Sequence, residues 1–350
     1  MKIMVTGGCG FIGSNYVIKQ IQKNNIILNL DKLTYAGNLE NLSSLAGHEN
    51  YNFIQGDICD SKLIKSTISQ FQPDSIVHFA AESHVDRSID SPNEFVKTNV
   101  IGTATLLQIA LEYWLKSKQS FKFIHVSTDE VYGSLGKEGM FTESTPYDPS
   151  SPYSATKASS DHLVRAWYRT YGFPAIITNC SNNYGSYQFP EKLIPLMIAN
   201  CFDEKSLPIY GKGNNIRDWL YVGDHCDAID AVLENGNIGQ TYNIGGNNEI
   251  SNIEIVNIIC SILDQLKPRK NNLLYSDLIS FVADRPGHDY RYAIDASKIK
   301  NELNWIPKET FESGIQKTID WYLSNEDWWR KIQKNTYNQK RLGIINLKQT

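Results

Sequence analysis

A glycine-rich turn between a short apolar strand and a helix restricts this chain more than any other feature of its sequence. Lys2 to Thr6 reads as a buried strand, Gly7-Gly8-Cys9-Gly10-Phe11-Ile12-Gly13 follows, and a helix is expected from Ser14 to about Lys23. Gly8, Gly10 and Gly13 satisfy GxGxxG, and Gly7 adds a GxxGxxG reading in the same residues. Glycine permits the tight turn and lets backbone N–H groups approach a pyrophosphate at the helix N-terminus, where the dipole favours negative charge. Such turns also merely join strands to helices, so context decides. Here the context is complete. Ile26 to Leu30 is a second strand ending in Asp31. A carboxylate about twenty residues beyond the turn accepts from the adenosine ribose hydroxyls, which favours NAD over NADP as the cofactor.

The alternation continues down the chain. Tyr51 to Gln55 is a strand ending at Gly56-Asp57-Ile58, a helix is expected from Ser61 to Gln70, and Ser75 to Phe79 is the next strand. Ala80 and Ala81 follow it, small enough for a cofactor to lie over the sheet edge. Asp57 and Ile58 either flank the adenine ring or serve as a turn residue and a core residue. A long helix is expected from about Pro92 to Trp114. Strand–helix alternation of this kind gives an α/β fold with a doubly wound parallel Rossmann-type sheet.

Phe121 to Val126 is the strand that matters most, because it breaks into Ser127-Thr128-Asp129-Glu130. Ligands in an open parallel sheet bind beyond the carboxyl ends of the strands. The quartet therefore either caps a following helix or works on a bound molecule. Downstream, Pro149 and Pro152 suit a helix start, and Tyr153 and Lys157 fall four apart on one helical face. An ammonium beside a phenol lowers its pKa from about 10, and such a tyrosine exchanges a proton with a hydroxyl being oxidised. The bland alternative is a surface tyrosine beside a solvated lysine.

Charge excludes some functions. The 350 residues carry 34 basic and 38 acidic side chains, a net charge of −4, with no general attraction to nucleic acid or an anionic membrane. Cys9, Cys59, Cys180, Cys201, Cys226 and Cys260 are widely spaced, without a CxxC pair, and read as reduced thiols in a cytoplasmic protein. No apolar run is long enough to span a bilayer, and His84, His125 and His288 lack the spacing of metal ligands.

Taken together, the turn, Thr128 and the Tyr153/Lys157 pair resemble the extended short-chain dehydrogenase/reductase family of nucleotide-sugar enzymes, and within it the 4,6-dehydratases. The motifs are DKLTYAGN (31–38), AAESHVDRS (80–88), STDEVYG (127–133), SPYSATKASSDHLVRAW (151–167), NCSNNYG (179–185), FPEKLIP (189–195), PIYGKG (208–213), IRDWLYV (216–222) and DRPGH (284–288). The likeness runs from residue 1 to about 323, and the Asp-Glu pair of STDEVYG separates dehydratases from epimerases.

The resemblance implies an NAD-binding domain over residues 1–185, with a return around 216–236, and a smaller nucleotide-sugar domain over 186–350. It implies that Tyr153 is the base for the sugar O4 proton, Thr128 hydrogen-bonds that oxygen, and Lys157 holds the nicotinamide ribose. Asp129 is the implied general acid and Glu130 the general base. Gly7, Gly10, Phe11, Ile12, Gly13, Asp31, Lys32, Leu33, Thr34, Asp57, Ile58, Ala80, Ala81, Ser83, Thr98 and Asn183 match the cofactor's surroundings. Ser83, Asn182, Lys192, Leu193, Pro208, Ile209, Tyr210, Arg217, Asn252, Asp284, Arg285, Pro286, Gly287 and His288 match substrate-contacting positions. The implied reaction turns dTDP-glucose into dTDP-4-keto-6-deoxyglucose by oxidation at C4, loss of water across C5 and C6, and hydride return to C6. A 4-epimerase or decarboxylase of the same family would share all but the use of Asp129 and Glu130; an NAD-binding sensor would not need an activated phenol.

Two departures stand out. Cys9 replaces the alanine of many members, adding an oxidisable thiol beside the cofactor, and the connection from Gly133 to Thr142 is short. The aromatic tail (Trp321, Tyr322, Trp328, Trp329) reads either as a helix packed on the body or as part of a homodimer contact. If Asp31 selects the ribose hydroxyls, fluorescence titration will show tighter binding of NAD than of NADP, and Asp31→Ala will weaken NAD. Tighter NADP binding by the wild type would overturn that assignment.

Overall fold

Short runs of β-branched and aromatic residues, each followed by an amphipathic stretch, leave the chain one economical solution: strands stacked side by side with helices on both faces. The structure, a computed structural model, describes residues 1–117, 120–284 and 288–335. The strands in chain order are β1 (Lys2–Thr6), β2 (Ile26–Asp31), β3 (Tyr51–Gln55), β4 (Ser75–His78), β5 (Lys122–Thr128) and β6 (Ala175–Cys180). Then follow β7 (Asn182–Tyr184), β8 (Leu207–Tyr210), β9 (Ile216–Tyr221), β10 (Thr241–Ile244), β11 (Glu249–Ser251) and β12 (Ile279–Val282). The large sheet has the order β10-β6-β5-β4-β1-β2-β3, and every pair in it is parallel. The order reverses between β1 and β4, so the crevice opens beyond the ends of β1, β4 and β5.

Helices Phe11–Gln22 and Val222–Asn235 pack on one face of this sheet, through Tyr16, Val17, Ile229 and Val232. Helices Ser61–Phe71, Thr103–Ser117 and Pro152–Tyr171 cover the other, through Ile64, Leu106 and Val164. The return to this sheet reaches further than the sequence suggests, to β10, which pairs with β6. Above the strand ends lies a second layer with its own core. Ile198, Trp219, Ile259 and Ile315 belong to it, and its sheets are β11-β9-β7 and β12-β8.

The helix expected over 92–114 is divided. Pro92–Phe95 gives way to a π-turn over Val96–Gly102, and the α-helix resumes at Thr103. The extra residue turns Asn99 inward, where its side chain receives Glu82 N–H at 2.9 Å and donates to Glu82 O and Thr156 Oγ1, both at 3.0 Å. Inserted turns of this kind gather at functional sites. β5 also runs past Val126 to Thr128, whose hydroxyl accepts from Glu130 N–H and caps one 3₁₀ turn, Asp129–Tyr132. Capping and exposure to the crevice thus coexist in the quartet.

Between the two readings of the tail, the structure chooses packing. Helix Glu326–Asn335 lays Trp328 and Trp329 against the body. Trp328 Nε1 donates to Asn41 Oδ1 at 2.8 Å, and the Asn41 amide donates to Cys9 O at 3.0 Å. Trp329 is fully buried, edge-on to Phe202 and bonded to Tyr322 O at 3.2 Å. No described helix is long and apolar enough to cross a membrane. Truncating a buried tryptophan costs about 3–5 kcal/mol, so Trp329→Ala is expected to lower the urea midpoint clearly. A midpoint unchanged from wild type would show that this helix contributes nothing to the core.

Candidate active site

The turn after β1 is built by exclusion. Gly7 has φ +75°, and a Cβ there would meet Ala80 N at 2.6 Å; one on Gly13 would sit 2.2 Å from Gly7 O. Side chains at either position would drive helix Phe11–Gln22 off the sheet. That helix begins at Gly10 with no side-chain cap, so its first N–H groups face the crevice ready for an anion. Asp31 ends β2 nearby. Its carboxylate accepts from Cys9 N–H at 2.9 Å and Leu33 N–H at 2.8 Å, while burial raises its pKa against those bonds. Lys32 pairs with Asp57 at 2.9 Å across the same edge.

Cys9 corrects an expectation. Its side chain is fully buried, its sulfur accepts from Asn29 Nδ2 at 3.3 Å, and burial pushes the thiol up to about 12. It is a core residue beneath the turn, not an oxidisable thiol beside a ligand.

Helix Pro152–Tyr171 brings in the second set of groups. Proline stands in its first turn, and Ser151 and Ser154 form a reciprocal cap, which fixes its start. Tyr153 and Lys157 project from it into the sheet ends, 8% and 4% exposed. The Thr128 side chain stands near the Tyr153 hydroxyl and works to lower its pKa. Lys157 Nζ donates to Val126 O at 2.9 Å. Here the sequence expectation fails: the phenol is held well above its usual value, by burial first and then by the Glu130 charge. The ammonium is turned to the strand carbonyl, and its own pKa is lowered by burial.

Asp129 follows the strand end directly. It is 1% exposed, and its Oδ2 is buried with no hydrogen-bond partner among the described residues. Burial, then the charges of Glu130 and Asp218, raise its carboxyl well above the ordinary range. The Glu130 charge is also felt at Tyr153 and Tyr292. A neutral carboxyl beside a second carboxyl gives one donor and one acceptor of protons in a single site.

One crevice gathers most of the sequence candidates. Gly7, Gly10, Phe11, Ile12, Gly13, Asp31, Lys32, Thr34, Asp57, Ile58, Ala80, Ala81, Ser83, Thr98 and Asn183 line it. So do Thr128, Asp129, Glu130, Tyr153, Lys157, Asn182 and Lys192, the last donating to Ser83 O at 3.3 Å. Leu33 lies behind Asp31 rather than in the lining. Leu193, Pro208, Ile209, Tyr210, Arg217, Asn252, Asp284 and His288 are outside this lining, although the Arg217 charge acts on Asp129 and Tyr210 OH donates to Asp86 Oδ2 at 3.4 Å; the His288 ring meets the Tyr210 ring edge-on. Arg285, Pro286 and Gly287 lie outside the described residues.

Sequence reasoning missed Tyr35, Glu82, Cys180 and Glu191 in the lining. Glu191 is buried and receives Arg87 at 3.0 Å, and the Arg87 guanidinium lies over Tyr35 at 3.7 Å. Each sits inside a quoted motif, and Tyr35, Glu82 and Glu191 adjoin a chosen residue, a signal available from adjacency alone.

Comparison with known proteins follows the geometry. A family model described as GDP-mannose 4,6 dehydratase matches residues 4–318. A dTDP-glucose 4,6-dehydratase of Neisseria meningitidis is 57% identical, over 98% of this chain and 99% of its own. The crystal structure of dTDP-glucose 4,6-dehydratase from Bacillus anthracis in complex with NAD superposes with a TM-score of 0.85 at 50% identity, covering 95% of this chain and 99% of that one. That of a Streptomyces venezuelae dTDP-glucose 4,6-dehydratase, also with NAD bound, gives 0.87 at 45%, covering 95% and 100%.

The state of Asp129 can be read from stability. Its folded pKa lies above its unfolded value, so above about pH 4 the unfolded chain ionises it while the folded chain keeps the proton, and stability falls as pH rises. Asp129→Asn removes that penalty. The variant's thermal midpoint should exceed the wild type's at pH 7, with the gap closing toward pH 4. A gap independent of pH would mean that Asp129 ionises like an exposed carboxyl.

Proposed function

Because this chain belongs to the GDP-mannose 4,6-dehydratase family of extended short-chain dehydrogenase/reductases, we infer that it converts dTDP-glucose to dTDP-4-keto-6-deoxyglucose, with NAD as cofactor. The observation that carries the reading is the buried Asp129 carboxyl, unpartnered at Oδ2, beside Glu130 in the crevice that Thr128 and Tyr153 also line. A 4-epimerase has no use for that pair.

The residues present fit the cofactor. The glycine cradle leaves no room for a Cβ, the helix N-terminus above it is uncapped, and Asp31 keeps lone pairs at the ribose end. Gly10 to Gly13 would hold the pyrophosphate, Asp31 to Thr34 and Asp57 the adenosine, and Lys157 the nicotinamide ribose. NAD, when bound, supplies the hydride acceptor and donor of the cycle and a cationic ring that favours phenolate.

In this reading Tyr153 takes the proton from the sugar O4, and Thr128 hydrogen-bonds that oxygen. The raised pKa of Tyr153 makes its phenolate a strong base once formed. Oxidation at C4 makes C5–H acidic, which is why it must come first. Glu130 removes the C5 proton. Asp129, held neutral by burial and by its neighbour, gives its proton to the departing C6 hydroxyl, and water leaves.

The nucleotide is assigned to the second layer, residues 186–350, with Lys192, Asn182, Asn252, Pro208 to Tyr210 and the 284–288 segment around it. Arg217 suits a diphosphate: its guanidinium is fixed over Tyr292 at 4.3 Å and by Asp289 O at 2.9 Å, so little entropy is lost on binding. A homodimer is supported by exposed Ile101, Leu115 and Tyr171 near the helices that flank β5, and a cytoplasmic location by free cysteines.

Incubation with dTDP-glucose in heavy water should give, by NMR, a 4-keto-6-deoxy sugar with deuterium at C5. A product lacking deuterium there would return the epimerase reading. Glu130→Gln should cut turnover by about 10²–10⁴-fold, the usual worth of a positioned base, since its defect lies in C–H cleavage. A good leaving group at C6, such as fluoride, should partly rescue Asp129→Asn and leave Glu130→Gln unrescued.

A further inference from the structure

Beneath the Tyr153/Lys157 face lies a carboxylate that the reaction does not touch. Asp161 follows Lys157 by one turn of helix Pro152–Tyr171, so the two share a face. It is fully buried, yet four groups converge on it. Oδ2 accepts from Ser127 Oγ at 2.9 Å, Tyr147 OH at 2.8 Å and Asn179 Nδ2 at 3.3 Å. His125 Nε2 stands 3.2 Å from Oδ1 without closing a hydrogen bond to it. Three donors on one oxygen are the environment of a charged carboxylate, and a charge taken out of water needs a counter-charge nearby.

His125 does not supply it. The ring is fully buried, and its pKa falls to about 4, so at neutral pH it is uncharged. The Arg165 guanidinium reaches only the outer side of Tyr147, at 2.7 Å from the hydroxyl. Lys157 remains, buried on the same helix face and hydrogen-bonded to Val126 O. We propose that Asp161 is a positioning residue: its buried charge, fixed by Ser127, Tyr147 and Asn179, holds Lys157 as an ammonium where water cannot.

The surroundings of Lys157 make that role necessary. Tyr153 lies on its own helix, His125 on β5, His78 on β4 and Cys180 on β6, with Tyr132 and Tyr147 around Asp161. Every one of these is neutral at pH 7 or pushed toward neutrality by burial, and burial itself works against the ammonium. Asp161 is the anion that opposes it. The same hydrogen bonds that fix the carboxylate tie the helix to Ser127, one residue before Thr128, so charge and geometry are set together.

The inference rests on the reading of Lys157 as a cofactor-binding cation, and its test separates the two. A stability cycle needs no activity: Lys157→Met, Asp161→Asn and the double variant are compared by urea unfolding. Lys157→Met strands a buried charge and should lose stability, and adding Asp161→Asn should restore part of the loss. If Lys157→Met fails to fold, the double variant should still do so. Additive losses, or a double variant less stable than either single one, overturn the pairing whatever the enzyme does. The second measurement is NAD affinity against pH. Asp161 works to raise the pKa of the ammonium, so the alkaline loss of binding should move to lower pH in Asp161→Asn. An unmoved alkaline limb in a folded variant overturns the role of Asp161 in holding Lys157 charged.

Discussion

The reactive side of this molecule depends on one close approach of backbone to backbone. Gly7 lies against Ala80, and Gly13 against the Gly7 carbonyl, at distances that admit no Cβ. Because β1 and β4 are neighbours in the sheet, that contact sets where the first helix begins and where the crevice opens. Asp31, Ala80, Thr128 and Tyr153 line one space because Gly7 and Gly13 let the turn lie this close to β4 and to itself. Hydrophobic burial makes the sheet stable, and the glycines decide what its edge can hold.

Two buried carboxylates near that edge show how environment divides labour. Each has one oxygen without a hydrogen-bond partner among the described residues. The other oxygen of Asp161 takes three donors and its carboxyl is held below the usual range, whereas Asp129, with Glu130 beside it, is held above it. The difference lies in the donors and charges that the neighbouring segments present.

What the sequence revealed was local. The turn, β2 ending at Asp31, the quartet after β5 and the start of the Tyr153 helix are short-range patterns, and the structure places them together. The π-turn at Val96–Gly102 was not legible, since its cause is Asn99 reaching Glu82 and Thr156, residues distant in the chain. The acidity of Tyr153 was misjudged for a related reason: spacing places Lys157 on the same face, but it cannot say that the ammonium turns to Val126 or that burial outweighs it. Pro208 to Tyr210 and Arg217 were chosen by resemblance, and only the fold shows them in a separate layer above the strand ends. Tyr35 and Glu191 escaped notice because their partner Arg87 comes from a different segment.

The bond from Trp328 to Asn41, and from Asn41 to Cys9, closes a loop between the last described helix and the first turn. Its consequence is a coupling across the chain: whatever loosens helix Glu326–Asn335 is felt at Asn41 and, through it, at the Cys9 carbonyl of the glycine turn.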